Sequence, residues 1–564
     1  MTPRTGARLL VAAAVWLVVL GTLAVGYRYG LAPYLERRSE VRRLTTEYTT
    51  LLQEAAKRQV RAEPMPAGSD PAVLAALVDD LKLRLTGAAG STSATPFRVA
   101  IAMDSFSGYA VLRSEVFKKR LANEGVQVEF VDDGADYAKR LRSVATGQTP
   151  LAVFTIDALI KASADAGSSP ATIVLVIDES VGADAMIAYS KSFPNLDALN
   201  RSDIKFVTVR FAPSETLARV VLGSFNLDKV ASDPFSPAKS AEEVYQRIAR
   251  ASPDQPSVYV LWEPYVSKAL QVPGTHVLID SSRFRGYIVD VLVVQREYLL
   301  EHEDRVRVIV ENYLRSAHEL ARAPGGMAAV VRADAAAQNE PLTAEQAGKL
   351  AKGIWWKNTT ENYGDFGIVK ERSEPGRETR TLAHMINNIT HVLRSTGAIQ
   401  RDPTDGEAGK FFYDRVARSL FESGFHPSLG TATGTETSSP TPELPTLSPD
   451  QWDALIPVGT LQVERIVFAR GTSDLTEQSR QALTRLAATL QSFPTYYVLV
   501  RGQARSDGDP EANKKLAQQR AAGAAEFLLQ AGIPAARIRA VSIPPAGAGG
   551  ESQSVTFVLG QLPY

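Results

Sequence analysis

Cysteine is absent from the 564 residues, and histidine occurs six times. The lack of thiols excludes disulfides, cysteine nucleophiles and cysteine metal sites, and the histidines show no HExxH or paired-ligand spacing. An excess of one charge is also missing, since 62 Lys and Arg balance 62 Asp and Glu. A neutral chain has no overall field that attracts polyanions, so we expect no nucleic-acid partner, no metal and no cofactor.

Length and composition predict several folded domains. Hydrophobic residues make up 45% of the chain and charged residues 22%, as in ordinary globular proteins. At roughly 100 to 200 residues per domain, about three to five domains are expected. Composition shifts predict a membrane anchor or signal over 1–30, a helical stalk or linker over 31–95, a two-lobed α/β region over 96–425, a linker rich in Pro, Thr and Ser over 426–456, and a small α+β domain over 457–564.

An uncharged run from Leu9 to Tyr27 is the longest apolar stretch of the N-terminal region. As a helix it would be about 29 Å long, which is enough to cross a bilayer. Arg4 and Arg8 before it, and small residues around Ala24, also fit a cleaved secretory signal. Both interpretations export the rest of the chain, although the arginines that follow the run oppose this orientation under the positive-inside rule.

Apolar residues recur at helical spacing after this run. The pattern predicts an amphipathic helix, either a short coiled-coil stalk or a helix that packs on the next domain. The recurring residues are Val41, Leu44, Tyr48, Leu51 and Ala55.

From Phe97 to about Phe425, short β-branched runs alternate with helical stretches. This alternation predicts α/β units with largely parallel sheets covered by helices on both faces. The runs are FRVAIAM, VQVEFV, LAVFT, TIVLVI, IKFVTV, SVYVL, HVLID and YIVDVLVV. Ligands of such sheets bind beyond the carboxyl ends of the strands, so the loops that follow these runs are candidate binding loops.

Four strand-end loops carry polar groups that could bind a ligand. They are 104–109, 155–157, 213–216 and 262–265. Hydroxyls and free backbone N–H groups at helix starts suit small solutes. Helix capping is the alternative explanation, because Ser, Thr and Asp occupy N-caps for purely local reasons.

Three segments in order resemble the nitrate/sulfonate/taurine group of periplasmic solute-binding proteins of ABC transporters. They are DESVGADA at 178–185, LWEPYV at 261–266 and FRGYIVDVLVV at 284–294, and the similarity covers about 97–320. The resemblance implies a type II periplasmic-binding-protein fold, in which two α/β lobes close by hinge motion on a small solute. Carried over by position, the ligand-binding residues would be Ser105, Ser107, Thr155, Ser214 and Glu263.

The class of solute stays open between an oxyanion and an amine. An anion would depend on helix N-termini and hydroxyls, whereas an amine or a protonated oxyanion would suit the acidic residues near the loops. Lys357 is the one base expected near these loops, and Trp355 and Trp356 before it could form a cleft wall or pack inside the protein. The acidic residues are Asp104, Asp157, Glu215 and Glu263.

The segment after Phe425 is a predicted tether. It is rich in Pro, Thr and Ser and has no apolar period, so we expect it to decouple the domains on either side.

The C-terminal region reads as β-α-β-α-β-β, with its first strand over QVERIVFA. It resembles the OmpA-like, peptidoglycan-associated domain through IVFARGTSDLTEQSRQALTRLAATLQSFP, VRG and the motif Asn-x-x-Leu-x-x-x-Arg-Ala that begins at Asn513. The resemblance implies that an aspartate and an arginine grip the diaminopimelate of the wall peptide. Arg520 matches that arginine, but Arg505 stands in place of the aspartate, which puts the ammonium contact in doubt unless Asp507 or Asp509 substitutes.

These features predict a non-catalytic, envelope-anchored solute-binding protein with an envelope-associating OmpA-like domain. We expect no catalytic residues, because no Gly-x-Ser-x-Gly elbow or P-loop stands at a strand end. The expected location is the inner membrane, through the N-terminal helix, with the bulk in the periplasm of a Gram-negative bacterium. Expected partners are a small solute, peptidoglycan or envelope proteins, and the membrane. The alternative is a periplasmic interaction scaffold that has lost solute binding, with Trp355 and Trp356 filling the cleft.

Overall fold

A computed structural model describes most of the chain, and it divides into two compact units, Met1–Pro96 and Phe97–Tyr564. The described residues are 32–57, 74–75, 77–78, 81–82, 96–210, 212–369, 381–427, 444–469, 472–504, 508–544 and 555–562.

The first unit contains a long amphipathic helix, α1 (Ala32–Lys57). Its predicted apolar stripe is buried at Leu44, Tyr48 and Ala55. The stripe packs on apolar residues of a second helical stretch in the same unit, and Lys82 Nζ lies 2.5 Å from Glu47 Oε1 beside that contact. The residues of the second stretch are Leu74, Val78 and Leu81.

The prediction of an N-terminal transmembrane helix needs correction. Among the described residues no helix has both the length and the apolar sequence that a membrane span requires. Helix α1 has Arg and Glu side chains among its apolar residues, and Leu9–Tyr27, the predicted span, lies outside the described residues. The described residues therefore have a mixed α/β fold with two lobes and a smaller C-terminal domain, and they do not contain the predicted membrane helix. The inner-membrane location, which depended on that helix, is corrected with it.

The second unit begins with a six-stranded sheet, which forms lobe 1. Its order is β11-β4-β10-β3-β1-β2, with β1 parallel to β2 and β3, and β10 antiparallel to β3 and β4. Strands β1–β4 coincide with predicted apolar runs. The strands are β1 (Phe97–Met103), β2 (Val126–Asp132), β3 (Leu151–Thr155), β4 (Ala171–Ser180), β10 (Val289–Gln295) and β11 (Ile354–Trp356).

Lobe 2 is a five-stranded sheet with the order β7-β6-β8-β5-β9. Here β6 is parallel to β7 and β8, and β5 is antiparallel to β8 and β9. In each lobe, one strand comes from the other lobe and runs antiparallel to both of its neighbours. This strand is β10 in lobe 1 and β5 in lobe 2. The strands are β5 (Asp184–Tyr189), β6 (Lys205–Val209), β7 (Phe235–Ala238), β8 (Ser257–Trp262) and β9 (Thr275–Asp280).

Two connections cross between the lobes, a short one from β4 to β5 and the segment 281–288 from β9 to β10, which we name the return crossing.

Helices cover both sheets. They are α2 (Ala110–Arg113), α3 (Glu115–Asn123), α4 (Tyr137–Ala145), α5 (Ile156–Ala166), α6 (Pro213–Ser224), α7 (Ala241–Arg250), α8 (Tyr265–Ala269), α9 (Arg296–Glu301), α10 (Glu303–Arg322), α11 (Gly326–Ala337), α12 (Ala344–Lys352), α13 (Thr359–Asp365), α14 (Leu382–Ser395) and α15 (Arg415–Glu422).

The C-terminal domain is a four-stranded sheet with the order β12-β15-β13-β14 and helices between its strands. Its first strand is 456–460 rather than the predicted QVERIVFA, because Val467 bonds through its N–H and its carbonyl to the Ser479 hydroxyl instead of a neighbouring strand. Its elements are α16 (Pro449–Asp453), β12 (Ile456–Thr460), α17 (Glu477–Gln491), β13 (Tyr497–Gln503), α18 (Pro510–Gln530), β14 (Ile538–Ile543) and β15 (Val555–Gln561).

The end of the predicted linker is folded onto this domain. A capping box at Ser448 begins α16, and Leu447, Trp452 and Leu455 are buried against the sheet residue Tyr497. The expectation that a tether decouples the domains is wrong for the described residues, since Phe493 of the C-terminal domain contacts Phe225 of lobe 2 with ring centroids 6.0 Å apart.

Candidate functional site

The two lobes meet at the N-termini of two helices that follow strand ends. Helix α5 follows β3 in lobe 1, and α6 follows β6 in lobe 2. The Thr216 hydroxyl of α6 donates a hydrogen bond to Oδ2 of Asp157 in α5. Burial raises the pKa of Asp157 to about 6, against the hydrogen bond from Thr216, which lowers it. This contact joins the carboxyl edges of both sheets, where solutes bind in open α/β folds.

The four predicted hydroxyl residues lie at this edge. Ser105 is half-buried, Ser107 begins a 3₁₀ turn, and Thr155 and Ser214 are buried at the starts of α5 and α6. Helix capping does not account for them, because α5, α6 and the 3₁₀ turn start without a side-chain cap hydrogen bond. Ser214 Oγ instead lies 3.5 Å from Thr208 Oγ1.

Arg113 holds the loop that follows β1. Its guanidinium donates to the backbone carbonyls of Asp104 at 2.8 Å and Phe106 at 2.7 Å. Its remaining N–H groups bind the Asp334 carboxylate at 2.7 Å, and both side chains are nearly buried. A guanidinium fork paired with a carboxylate is rigid, so this ion pair fixes the loop that contains Ser105 and Ser107.

Arg140 organises the same edge from the other face of the lobe 1 sheet. The fully buried guanidinium lies 2.5 Å from Asp133 Oδ1 and 3.0 Å from Asp104 Oδ2, and donates to the carbonyl of Val153. Burial opposes its charge, but the two carboxylates raise its pKa above the ordinary value. Asp104 is therefore already neutralised by the protein.

Two carboxyl side chains share a buried position in the centre of lobe 1. Asp290 of β10 is in register with Asp178 of β4, and Tyr109 donates to Asp290 Oδ1 at 2.6 Å. Burial raises the pKa of Asp290 to about 7 and raises that of Asp178 well above its ordinary range. The neighbouring Asp290 raises the pKa of Asp178 further, whereas the hydrogen bond with Asp178 lowers that of Asp290. Since burial disfavours two adjacent charges, at least one of the pair holds a proton near neutral pH.

Glu263 lies at the end of β8, but other side chains of the protein already bind its carboxylate. Its carboxylate accepts from Ser267 N at 3.1 Å and Ser267 Oγ at 2.9 Å, and Lys349 Nζ of α12 lies 2.7 Å from Oε1. A small cavity beside this ion pair is lined by Pro264, Leu342 and Leu350 as well.

Residues 326–356, which we name the cross-lobe segment, contact both lobes. The segment comprises α11, α12 and β11, and it reaches lobe 1 through Asp334 and lobe 2 through Lys349. It also packs on the short crossing, where Val181 N donates to the carbonyl of Gly353 at 2.8 Å. The close approach favours glycine at position 353, since a Cβ would lie 3.1 Å from the backbone N of Ala183.

The two tryptophans form an edge strand of lobe 1. In β11, Trp356 Nε1 donates to the Gly108 carbonyl at 3.0 Å, and Trp355 Nε1 donates to Glu361 at 3.0 Å. Lys357 is buried with its Nζ 3.0 Å from Glu179 Oε2 and 3.5 Å from the centre of the Trp355 ring. Lys357 is thus committed to an ion pair, and Trp356 lies directly on the loop of Ser107.

In the C-terminal domain, Arg520 is buried within α18. Its Nε donates to the Thr472 carbonyl at 3.0 Å, and its guanidinium lies 5.0 Å from the centre of the Phe468 ring. Asn513 lies about two turns earlier on the same helix. Arg505, which stands in place of the family aspartate, lies outside the described residues. The three predicted peptidoglycan-type residues therefore stay a prediction.

The C-terminal domain is similar in sequence to known proteins. Residues 467–551 match the model of the OmpA family. The peptidoglycan-associated lipoprotein of Brucella melitensis is 35% identical over 79 residues, which are 14% of this chain and 47% of that protein. That of Agrobacterium fabrum is 34% identical over 92 residues, which are 16% and 50%. The chain spans about half the length of these curated relatives, and the predicted OmpA-like identity of the domain is confirmed.

Solved structures similar to the central region are periplasmic-binding-like. The aliphatic sulphonate-binding protein SsuA of Escherichia coli is 14% identical, with coverage of 57% of this chain and 92% of that chain and a TM-score of 0.41. A ligand-binding component of an ABC-type import system from Staphylococcus aureus, with zinc bound, is 15% identical, with coverage of 57% and 98% and a TM-score of 0.39. Similarity at this level says nothing about a ligand, and the two-lobed fold of this chain is defined by its own strand order.

Sequence reasoning missed the basic residues that hold the binding loops. Arg113, Arg140 and Lys349 all lie on helices away from the strand ends, in stretches that look like ordinary solvated faces. The one signal present was the apolar company of Arg140, since it lies on the same face of α4 as Tyr137, Leu141 and Val144, which are buried. Lys357, the base that the sequence did single out, contacts Glu179 instead of the loops.

Proposed function

We propose that this protein is a non-catalytic receptor of the cell envelope, in which the two lobes close on a small solute and the OmpA-like domain associates with an envelope component. The observation that carries the proposal is the contact between Asp157 and Thr216, which brings polar strand-end groups of both lobes to one junction. Thr155 and Ser214 stand beside these residues at the helix starts and serve no capping role. The names of the relatives that match the C-terminal domain support an envelope-associated location.

The charge at this junction favours an amine over an oxyanion. Asp157 interacts electrostatically with both Asp290 and Asp184, and burial raises the pKa of Asp184 to about 7. The guanidinium of Arg140 at this edge is already paired with two carboxylates. An ammonium group would favour the ionised form of these carboxyls and pair with it, whereas an anion would be repelled by that form.

Isothermal titration of the full chain tests this function. The panel comprises small amines and amino acids against nitrate, phosphate and alkanesulfonates, and we expect saturable binding of at least one amine. Asp157→Asn should weaken that binding at least tenfold, whereas Asp254→Asn, at an exposed ion pair with Lys191, should leave it unchanged. Heat from none of the solutes, or an equal affinity in the Asp157 variant, would contradict the proposal.

A second candidate, an interaction scaffold without solute, is favoured by the cross-lobe segment. Lys349 forms an ion pair with the Glu263 carboxylate, in the place that the ammonium group of a solute would take. Trp356 packs on the loop that contains Ser107. Under this alternative, Lys349→Ala creates a site for added amines that the wild type lacks. If the wild-type protein binds an amine, and Lys349→Ala binds it only modestly more tightly, the result supports the receptor function instead.

A further inference from the structure

The OmpA-like domain is docked on lobe 2 by backbone hydrogen bonds. Asn226 N donates to the Thr460 carbonyl at 2.8 Å, and Gln462 N donates to the Ser224 carbonyl at 2.7 Å. These bonds flank an antiparallel bridge between Phe225 and Leu461. The start of the C-terminal sheet thus pairs with the chain that leaves α6, the helix that carries Thr216.

The same domain also grips the return crossing. Arg285 N donates to the Ser492 carbonyl at 2.7 Å, and Phe493 is fully buried. The ring centroids of Phe493 and Phe284 are 6.1 Å apart, while the opposite contact of Phe493 is Phe225 of lobe 2. One aromatic side chain of the C-terminal domain is therefore wedged between lobe 2 and a connection about which the lobes must rotate.

The contact continues from the return crossing into lobe 1. Gly286, next to Arg285, donates from its N–H to Glu179 Oε1 at 2.7 Å, and Glu179 Oε2 binds Lys357. Gly286 has a φ of +76°, so the turn that presents this N–H favours glycine. A short line of hydrogen bonds thereby joins the OmpA-like domain to the edge of lobe 1 beside β11.

We propose that the docked OmpA-like domain clamps the return crossing and holds the two lobes closed, so that release of this domain lets them open. A crossing segment bonded on one side to the C-terminal domain and on the other to lobe 1 cannot change its backbone angles without breaking one set of bonds. Hinge motion requires such changes at a few connecting residues. An envelope component that binds the OmpA-like domain and competes with its docking would then open the lobes.

A substitution at Gly459, which belongs to the OmpA-like domain, should separate this domain from lobe 2. A Cβ at this glycine would lie 2.7 Å from Cδ1 of Phe225 and 3.2 Å from Cβ of Leu196, both in lobe 2. Gly459→Leu should therefore undock the domain. Gly409→Leu is the matched control, because Gly409 has open space around its Cβ position. Neither substitution touches the strand-end residues of the two lobes.

The test is a lobe-to-lobe distance measured by electron paramagnetic resonance on the full chain. The absence of cysteine lets Lys119→Cys on α3 and Arg250→Cys on α7 carry the only two spin labels. We expect one narrow distance distribution in the wild-type background and in Gly409→Leu, and an added population of longer distances in Gly459→Leu. Amide exchange over 281–288 should accelerate about tenfold in that variant. An unchanged distribution, with exchange equally slow, would overturn the proposal.

Docking itself is checked by cross-linking, which guards against a Gly459 variant that merely misfolds. Thr460 N lies 2.9 Å from Asp197 Oδ1, so cysteines at these two positions lie within reach of a short bismaleimide cross-linker. Asp197→Cys with Thr460→Cys should be joined by this reagent, and Asp197→Cys with Gln530→Cys should not. Failure of the first pair to react would refute the docked arrangement on which the clamp depends.

Discussion

Thr216 of lobe 2 donates its hydroxyl hydrogen to the buried carboxylate of Asp157 in lobe 1. This bond is a direct polar link between helix starts that belong to different sheets. It makes the junction of the lobes sensitive to single side-chain changes, because a buried carboxylate that loses a donor bears the full cost of its desolvation.

Thr216→Val should weaken the junction. The substitution keeps the shape but removes the hydroxyl, and we expect a loss of about 1 to 3 kcal/mol in the free energy of unfolding. Urea denaturation followed by circular dichroism measures it. Thr208→Val is a matched control, because that buried hydroxyl lies 3.5 Å from Ser214 and bonds no carboxylate. Equal effects of the two substitutions would disprove a special role of the lobe contact.

The Arg113–Asp334 pair should be far more important than an exposed one. Asp334→Asn leaves the nearly buried Arg113 without its counter-charge, so a loss of roughly 3 kcal/mol is expected. Glu319→Gln, at the exposed pair with Arg120, should cost less than about 1 kcal/mol. Chemical denaturation of both variants gives the comparison, and similar values would show that the loop of Ser105 is not held by this pair.

Asp290 should make the protein less stable as the pH rises. Its pKa is about 7 in the folded state and 3.8 ordinarily, so between about pH 4 and 7 the folded chain binds more protons than the unfolded chain. Stability present below pH 4 is therefore lost through this window. Burial is the main cause of this raised pKa and the charges of Asp104 and Asp157 add to it, whereas the hydrogen bonds with Tyr109 and Asp178 oppose it.

Asp290→Asn removes this titration while it can still accept the Tyr109 hydrogen bond. We expect the variant to raise the melting temperature at pH 8 and to raise it much less at pH 5. Thermal scans at the two pH values, with the exposed Asp254→Asn as control, provide the measurement. A gain that is the same at both pH values would show that Asp290 does not hold the extra proton.

Arg520 should take part in wall contact if the retained half of the family motif functions. Arg520→Ala is expected to lower co-sedimentation with purified sacculi at least several-fold, while Arg480→Ala, on the exposed face of α17, should have no effect. Because Arg520 also bonds the Thr472 carbonyl, Arg520→Lys separates charge from structure. A folded Arg520→Ala protein that sediments as well as the wild type would eliminate this role.

Much of the α/β framework could be predicted from the sequence, because short apolar runs such as FRVAIAM and LAVFT, bounded by polar turns, favour strands. The polar loops after them could be predicted for the same reason. The partners of those loops could not, since the contacts of Arg113 with Asp334 and of Lys349 with Glu263 join positions far apart along the chain. The docking of the C-terminal domain was likewise hidden, because Phe225 and Phe493 each look like an ordinary core residue of their own domain.

The most direct test of the receptor account is the lobe-to-lobe distance of the full chain in the undocked Gly459→Leu background, spin-labelled at positions 119 and 250, with and without the tightest solute of the titration panel. The account predicts that saturating solute narrows the distribution and removes any population at longer distances, and that Asp157→Asn loses this response. A distribution that no solute alters, in either protein, would contradict closure of the two lobes around a ligand.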